Sequence, residues 1–154
     1  MSAHIRISVQ EADFDLAAEY AALRNGEHIG AIVAFCGLVR AWDGGVAMRL
    51  EHYPGMTERA LQHIATQAQA RWPLGGISII HRVGELQPGA QIVLVLTASA
   101  HRRAAYQANE FIMDYLKTEA PFWKQEVSAD GGHWVDARET DQTARQRWEA
   151  DYDG

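Results

Sequence analysis

The segment that decides the fold is Met113-Asp114-Tyr115-Leu116-Lys117-Thr118-Glu119-Ala120-Pro121-Phe122-Trp123-Lys124-Gln125-Glu126. Pro121 has no amide proton and clashes with the preceding turn, so the helix that carries Lys117 is predicted to end just before it. Lys124 then lies on the extended segment that leaves the helix. Such a corner lets two ammonium groups converge, which suits an anionic ligand or a lysine engaged in proton transfer. A solvated helix end, where the macrodipole favours lysine, is the other interpretation of the segment taken alone.

The residues on either side of this corner extend the same pattern. From Ala104 to Lys117 an apolar stripe recurs at helical spacing, at Ala105, Ala108, Ile112 and Leu116. Beyond Pro121, a strand over 122–127, a turn over 130–132 and a strand over 133–135 predict a small terminal hairpin. A last helix is predicted within 140–148, and the acidic end over 149–154 is expected to fray.

The first half of the chain predicts strands interrupted by two helices. Alternation over 5–9 indicates an outer strand, and apolar residues at helical spacing over 16–23 indicate a short helix. The apolar run 30–39 predicts a strand covered on both faces, followed by a hairpin partner over 46–50. Thr57 is predicted to cap a helix that ends near Trp72.

Two further strands, over 77–83 and 92–98, are joined by a turn at Pro88-Gly89. Because helices interrupt the strands irregularly and hairpins recur, we predict an α+β protein with a mixed, largely antiparallel sheet. The 154 residues fit one domain, 1–154, with no second domain.

Composition limits the possible functions. The longest apolar run, 31–36, is far shorter than the ~18 residues that cross a bilayer, and no leader pattern begins the chain, so we expect a soluble, cytoplasmic protein without membrane contact. A net charge of −6 argues against a general nucleic-acid surface. Cys36 has no partner for a disulfide or a metal site and is expected to be an inert, buried thiol.

Several cations stand where strands end or helices begin. His101, Arg102 and Arg103 lie where a strand passes into a helix, a place suited to a phosphate, although a solvated cluster is equally compatible. Arg40 follows the apolar strand, and Arg138 lies near the end of the chain. Taken alone, Arg40 and Arg138 are each better interpreted as surface residues.

Metal and nucleotide sites are not expected. His52 and His81 are predicted to be structural histidines, because no second ligand stands at zinc spacing. No GxxxxGK[ST] or GxGxxG loop is present, which removes the usual nucleotide-binding interpretations.

The chain resembles a known family at several spaced motifs: Leu50-Glu51-His52-Tyr53-Pro54-Gly55-Met56-Thr57-Glu58, Arg71-Trp72-Pro73-Leu74-Gly75, His81-Arg82-Val83-Gly84-Glu85-Leu86, Ser99-Ala100-His101-Arg102, Phe111-Ile112-Met113-Asp114-Tyr115-Leu116-Lys117 and Ala120-Pro121-Phe122-Trp123-Lys124. They are similar, in order, to motifs of the large, catalytic subunit of molybdopterin synthase, the MoaE family. The resemblance extends from about Gly30 to Trp148.

The resemblance implies an α/β-hammerhead fold with a small additional β-hairpin subdomain. It also implies a homodimer that carries a small ubiquitin-like subunit on each copy, as a heterotetramer. The small subunit brings a C-terminal Gly-Gly thiocarboxylate, whose sulfur is transferred to cyclic pyranopterin monophosphate to build the dithiolene of molybdopterin for molybdenum cofactor. No bound cofactor or metal is implied.

The same resemblance implies the site residues. Lys117 and Lys124 match the catalytic lysines, and Arg138 matches a residue that reaches the neighbouring subunit's site. The implied substrate-binding set is Leu38, Val39, Arg40, His101, Arg102, Lys117, Lys124, Gln125, Glu126 and Arg138.

These residue types suit that chemistry. A cyclic phosphate and a thiocarboxylate are both anions, so a pocket holding them side by side needs fixed cations, and guanidinium forks suit phosphate oxygens. Opening the cyclic phosphate and losing water both need proton donors. One departure concerns Leu38 and Trp42, which stand where the family has a lysine and a polar loop residue, so the substrate contacts there are expected to differ.

Two other functions stay open on the sequence. A non-catalytic module could dock the ubiquitin-like partner without turnover, although the retained cations argue against it. An unrelated phosphoester-handling enzyme could use the same cations, but it would not need a partner that ends in Gly-Gly.

Overall fold

The computed structural model describes residues 4–42, 44–128, 131–135, 144–146 and 148–149. Within these ranges the elements follow one another as β1 (His4–Gln10), α1 (Leu16–Arg24), β2 (Ala31–Leu38), β3 (Gly45–His52), α2 (Met56–Arg71), β4 (Leu74–Arg82), β5 (Gly84–Leu86), β6 (Gln91–Ser99), α3 (Arg102–Glu119), β7 (Phe122–Ser128) and β8 (Gly131–Val135). Residues 144–146 and 148–149 are helical, and all of them except Glu149 lie within the predicted last helix, 140–148.

The first sheet has the strand order β1-β4-β6-β2, with β1 and β4 parallel and the other pairs antiparallel. Alternate side chains of its central strands point to opposite faces. Ile77 and Ile79 pack with α2 and α3, whereas Ile80, Leu94 and Leu96 pack with α1. Apolar side chains therefore fill both faces of β4 and β6.

The second sheet has the order β5-β3-β7-β8 and is antiparallel throughout. Met48 and Leu50 of β3 and Leu86 of β5 form its buried face, which packs against Val39. The loop between β2 and β3 supplies Val39, so it links the two sheets.

The α+β class with mixed and antiparallel sheets is confirmed. The predicted pairing of β2 with the strand after it is wrong: β3 pairs with β5 and β7 instead. The reason is that Met48 and Leu50 need an apolar partner surface, and Val39 and Leu86 provide it in the second sheet. The predicted terminal hairpin exists as β7 and β8, but it belongs to this four-stranded sheet.

The prediction that β2 is covered on both faces is also wrong. It is the outer strand of its sheet, and the side chains of Phe35 and Leu38 are 39% and 55% exposed. The prediction failed because the run 30–39 is as apolar as a central strand. The cover on one face comes from α3, where the Asn109 amide donates to the Val33 carbonyl at 3.1 Å.

The helix ends follow local chemistry with one correction. Asp15 caps α1 by accepting from the Ala18 amide at 3.2 Å. Thr57 does not cap α2, because that helix begins one residue earlier and Gly55 occupies the cap position. The Glu58 carboxylate instead accepts from the Gly55 amide at 2.7 Å. No helix in the described ranges is long and apolar enough to cross a membrane. The single-domain organisation stays a prediction.

Candidate active site

The corner between α3 and β7 is built as the sequence predicts. Ala105, Ala108, Ile112 and Leu116 are all buried, so α3 is held on the sheet by one face. The helix ends at Glu119, and Lys117 lies exposed in its last turn. Ala120 is extended and Pro121 leads straight into β7. The proline thus turns the chain from a helix on one sheet into a strand of the other.

Lys124 lies on the inner face of β7. In the antiparallel register it pairs with Leu50, and Phe122 pairs with His52. Directly paired residues share a face of a sheet, so Lys124 lies on the side of the buried Leu50 and is itself half-buried. Trp123 points the other way and is exposed.

His81 links the two sides of the corner. Its ring stacks on Phe122, with 3.8 Å between centroids and 19° between planes. Nδ1 lies 2.8 Å from the Arg82 carbonyl oxygen, which can only accept, so the proton of the neutral ring is on Nδ1. Burial lowers the pKa of His81 to about 4, and the positive charge of Lys117 contributes in the same direction. Lys117 therefore acts electrostatically on a ring that packs against the strand of Lys124.

The segment 38–40 approaches the same inner face. The Val39 amide donates to the Ala90 carbonyl at 2.8 Å, and the Gly89 amide donates to the Val39 carbonyl at 2.7 Å. Val39 packs in the same cluster as Leu50, the cross-strand partner of Lys124. Arg40, directly after it, is exposed at this end of the first sheet.

His101 and Arg102 lie at the far end of α3. The helix axis rises about 22 Å between Arg102 and Lys117 at 1.5 Å per residue. The strand β2 gives a similar distance between the two ends of the sheet. Its first residue, Ala31, pairs with Ser99, close to His101, and about 23 Å of strand lies between Ala31 and Leu38. Within a single chain, His101 and Arg102 are therefore far from the corner between α3 and β7.

Of the remaining predicted site residues, two lie on opposite faces of β7 and one lies outside the described residues. Glu126 pairs with Met48 and shares the inner face with Lys124, whereas Gln125 pairs with Arg49 on the outer face. Arg138 lies outside the described residues.

A cleft of about 300 Å³ lies between α2 and the end of α3. Glu119 and Glu149 line it, and carboxylates disfavour an anionic ligand, so we do not place the site there. Within the described ranges, no cluster of three His, Cys, Asp or Glu side chains could hold a metal ion.

The sequence did not indicate the contact between Thr57 and the corner. The Thr57 hydroxyl donates to the Pro121 carbonyl at 3.0 Å, across 64 positions of sequence. The prediction assigned the hydroxyl to a helix cap, and nothing local to Thr57 indicates such a distant acceptor. His81 was correctly predicted to be a satisfied structural histidine, but its stack on Phe122 was not anticipated.

The fold and the corner define a class: an α+β protein in which a helix packed on one sheet ends at a proline and passes directly into a strand of a second sheet. A family model described as MoaE protein matches residues 9–119. The molybdopterin synthase catalytic subunit of Ralstonia nicotianae is 59% identical over 146 residues, covering 92% of this chain and 83% of the relative. The protein of the same name from Vibrio cholerae is 54% identical, covering 94% and 98%. The chain belongs to the MoaE family.

A solved structure supports the same assignment. The molybdopterin cofactor biosynthesis protein E from Burkholderia multivorans has a TM-score of 0.80 to this chain. It is 53% identical, and the match covers 97% of this chain and 98% of that one.

Proposed function

We propose that this chain is the catalytic subunit of a molybdopterin synthase, a sulfurtransferase. In two successive transfers it takes one sulfur from the C-terminal thiocarboxylate of a small ubiquitin-like subunit and passes it to cyclic pyranopterin monophosphate. Each donor is left as a carboxylate, and the two sulfurs form the dithiolene of molybdopterin. Family membership over most of the chain supports the activity. The observation that supports the assignment of the site is the corner at Pro121, where α3, which carries Lys117, ends and β7, which carries Lys124, begins.

The roles of the lysines follow from the charges of the reactants. Both the sulfur donor and the substrate are anions, and two anions approach each other only where fixed cations offset their repulsion. Lys117 positions the thiocarboxylate and exchanges the proton that ring opening requires. Lys124, half-buried on the inner face, is its electrostatic partner. Arg40 supplies a guanidinium fork for the phosphate.

We further propose that two copies of the chain complete each site. His101 and Arg102 lie about 22 Å from Lys117 along α3, farther than any side chain reaches. They can act on the same substrate as Lys117 only if they belong to a neighbouring copy. Homodimerisation therefore places the cations of one copy beside the lysine corner of the other.

The outer edge of β2 suits such a dimer. Among the described residues it has no strand partner, and it exposes Phe35 and Leu38. An unpaired apolar edge strand is a ready surface for pairing with another chain. Antiparallel pairing of two β2 edges about a two-fold axis would set the Leu38 end of one copy beside the Ala31 end of the other, which adjoins His101.

The small subunit is the partner that the reaction requires, and neither nucleic acid nor a membrane has a part in it. We place the reaction in the cytoplasm, in heterotetramers of two large and two small subunits. Substrate contacts are assigned to Leu38, Val39, Arg40, His101, Arg102, Lys117, Lys124, Gln125, Glu126 and Arg138.

Reconstitution tests the function. The chain is mixed with thiocarboxylated small subunit and cyclic pyranopterin monophosphate, and molybdopterin is detected as product. Formation of molybdopterin in proportion to the thiocarboxylate consumed is expected. Binding of the small subunit without product would identify a docking module instead, and absence of binding would leave an unrelated phosphoester enzyme.

A further inference from the structure

The corner between α3 and β7 is held by contacts at two adjacent residues, Pro121 and Phe122. The Thr57 hydroxyl accepts from the Tyr53 amide at 3.0 Å and donates to the Pro121 carbonyl at 3.0 Å. A hydroxyl has one proton, so this pair of bonds gives it a single orientation. Thr57 is 0% exposed, and no water competes for those bonds. The start of α2 is thereby tied to the peptide that ends α3.

The next residue is held from a different element. Phe122 stacks on His81, which belongs to β4 of the first sheet. The Nδ1–H bond from His81 to the carbonyl of its neighbour Arg82 fixes the plane of the imidazole. Pro121 and Phe122 are thus held from two directions, one by a hydrogen bond and one by a ring face.

These two contacts hold residues that lie between Lys117 and Lys124 in the sequence. A rotation at Pro121 or Phe122 would swing β7 relative to α3, and with it Lys124 relative to Lys117. Displacements of about 1 Å between catalytic groups can lower a rate about 100-fold. The corner is therefore the place where the relative position of the lysines is set.

We propose that Thr57 and His81 form a clamp on Pro121-Phe122 and act as positioning residues for sulfur transfer. The proposal rests on the proposed function, because it assigns the clamp to the lysines that function uses. The clamp acts through the corner and has no contact with substrate. Its loss therefore lowers the rate of the chemical step and leaves substrate binding largely unchanged.

The experiment compares Thr57→Val with Thr57→Ser in the reconstituted assay. Valine has the shape of threonine without the hydroxyl, and serine restores the hydroxyl. The single-turnover rate constant at saturating substrate is expected to fall about 100-fold in Thr57→Val, and to return to within about 5-fold of wild type in Thr57→Ser. The half-saturating substrate concentration is expected to change less than about 3-fold in both. Thr66→Val is the matched control, because Thr66 loses a similar hydroxyl bond, to Gln62, on the same helix.

A wild-type rate constant in Thr57→Val would overturn the proposal, as would equal losses in the valine and serine variants. If Thr57→Val does not fold, His81 decides: His81→Phe keeps a flat ring on Phe122 and should retain most of the rate, whereas His81→Ala should lose it. Equal rates in those two variants would also overturn the clamp. Absence of molybdopterin formation by the wild-type chain in the reconstituted assay would instead contradict the proposed function, so the two failures are distinguishable.

Discussion

The ring of His81 lies 3.8 Å from the ring of Phe122, between centroids, and nearly parallel to it. The contact joins β4 of the first sheet to β7 of the second. Because Phe122 directly follows the proline that ends α3, this stack sets where the strand of Lys124 begins. Burial keeps His81 neutral, and the positive charge of Lys117 also disfavours a protonated ring.

The buried imidazole predicts an acid-dependent loss of stability. The pKa of His81 is lowered from 6.5 to about 4 in the fold. Between these values the unfolded chain takes up a proton that the folded chain does not, so the free energy of unfolding falls as pH drops from 6.5 and levels off below about 4. The full loss from this residue is about 3 kcal/mol.

Chemical denaturation at a series of pH values measures this loss, with His81→Phe beside the wild type. The difference in slope between the two proteins over pH 4 to 6.5 isolates the titration of this ring. Parallel profiles for wild type and His81→Phe would show that His81 titrates normally.

Charge on the edge of β2 should dissociate the dimer. Phe35→Glu would set two carboxylates into an apolar interface, so the dimer dissociation constant is expected to rise at least about 100-fold. Sedimentation equilibrium measures it. Tyr20→Glu is the control, because Tyr20 is similarly exposed but lies on α1. A Phe35→Glu protein that stays dimeric would place the interface elsewhere.

Mixing inactive variants tests whether two copies share each site. Lys117→Ala and Arg102→Ala homodimers should each be impaired, since every site lacks one group. Random reassortment of an equal mixture makes half the dimers mixed, each with one intact site, so activity should recover to about a quarter of wild type. The sulfur-transfer assay measures the recovery after subunit exchange.

The matched control for this mixing is Lys117→Ala with Lys124→Ala. Both lysines come from the same copy in the proposed site, so no mixed dimer has an intact site and no recovery is expected. Recovery in this pair, or none in the first, would contradict the division of the site between copies.

The sequence predicts those features whose cause is local. The end of α3 was predictable because Pro121 cannot continue a helix, and its buried face because apolar residues recur every three or four positions. The pairing of β3 was not, because its partner β7 is distant in sequence and the adjacent β2 carries an equally strong strand pattern. The role of Thr57 was hidden for the same reason.

The candidate site likewise has a part that the sequence predicts and a part that it does not. Lys117 and Lys124 are close in sequence, so their positions at the end of α3 and in β7 follow from one helix end. The distance between His101 and Lys117 follows from the length of α3 alone. In the proposed site these two residues act on one substrate only across two copies of the chain, and no pattern within one chain reveals a second copy.

The most direct test of the account is the turnover of Lys117→Ala in the assay with thiocarboxylated small subunit and cyclic pyranopterin monophosphate. Removal of the proton donor and anion contact should lower the rate of molybdopterin formation at least about 100-fold. Arg24→Ala, which removes an exposed cation from the end of α1, should keep wild-type turnover. Wild-type turnover in Lys117→Ala would contradict the assignment of the active site to this corner.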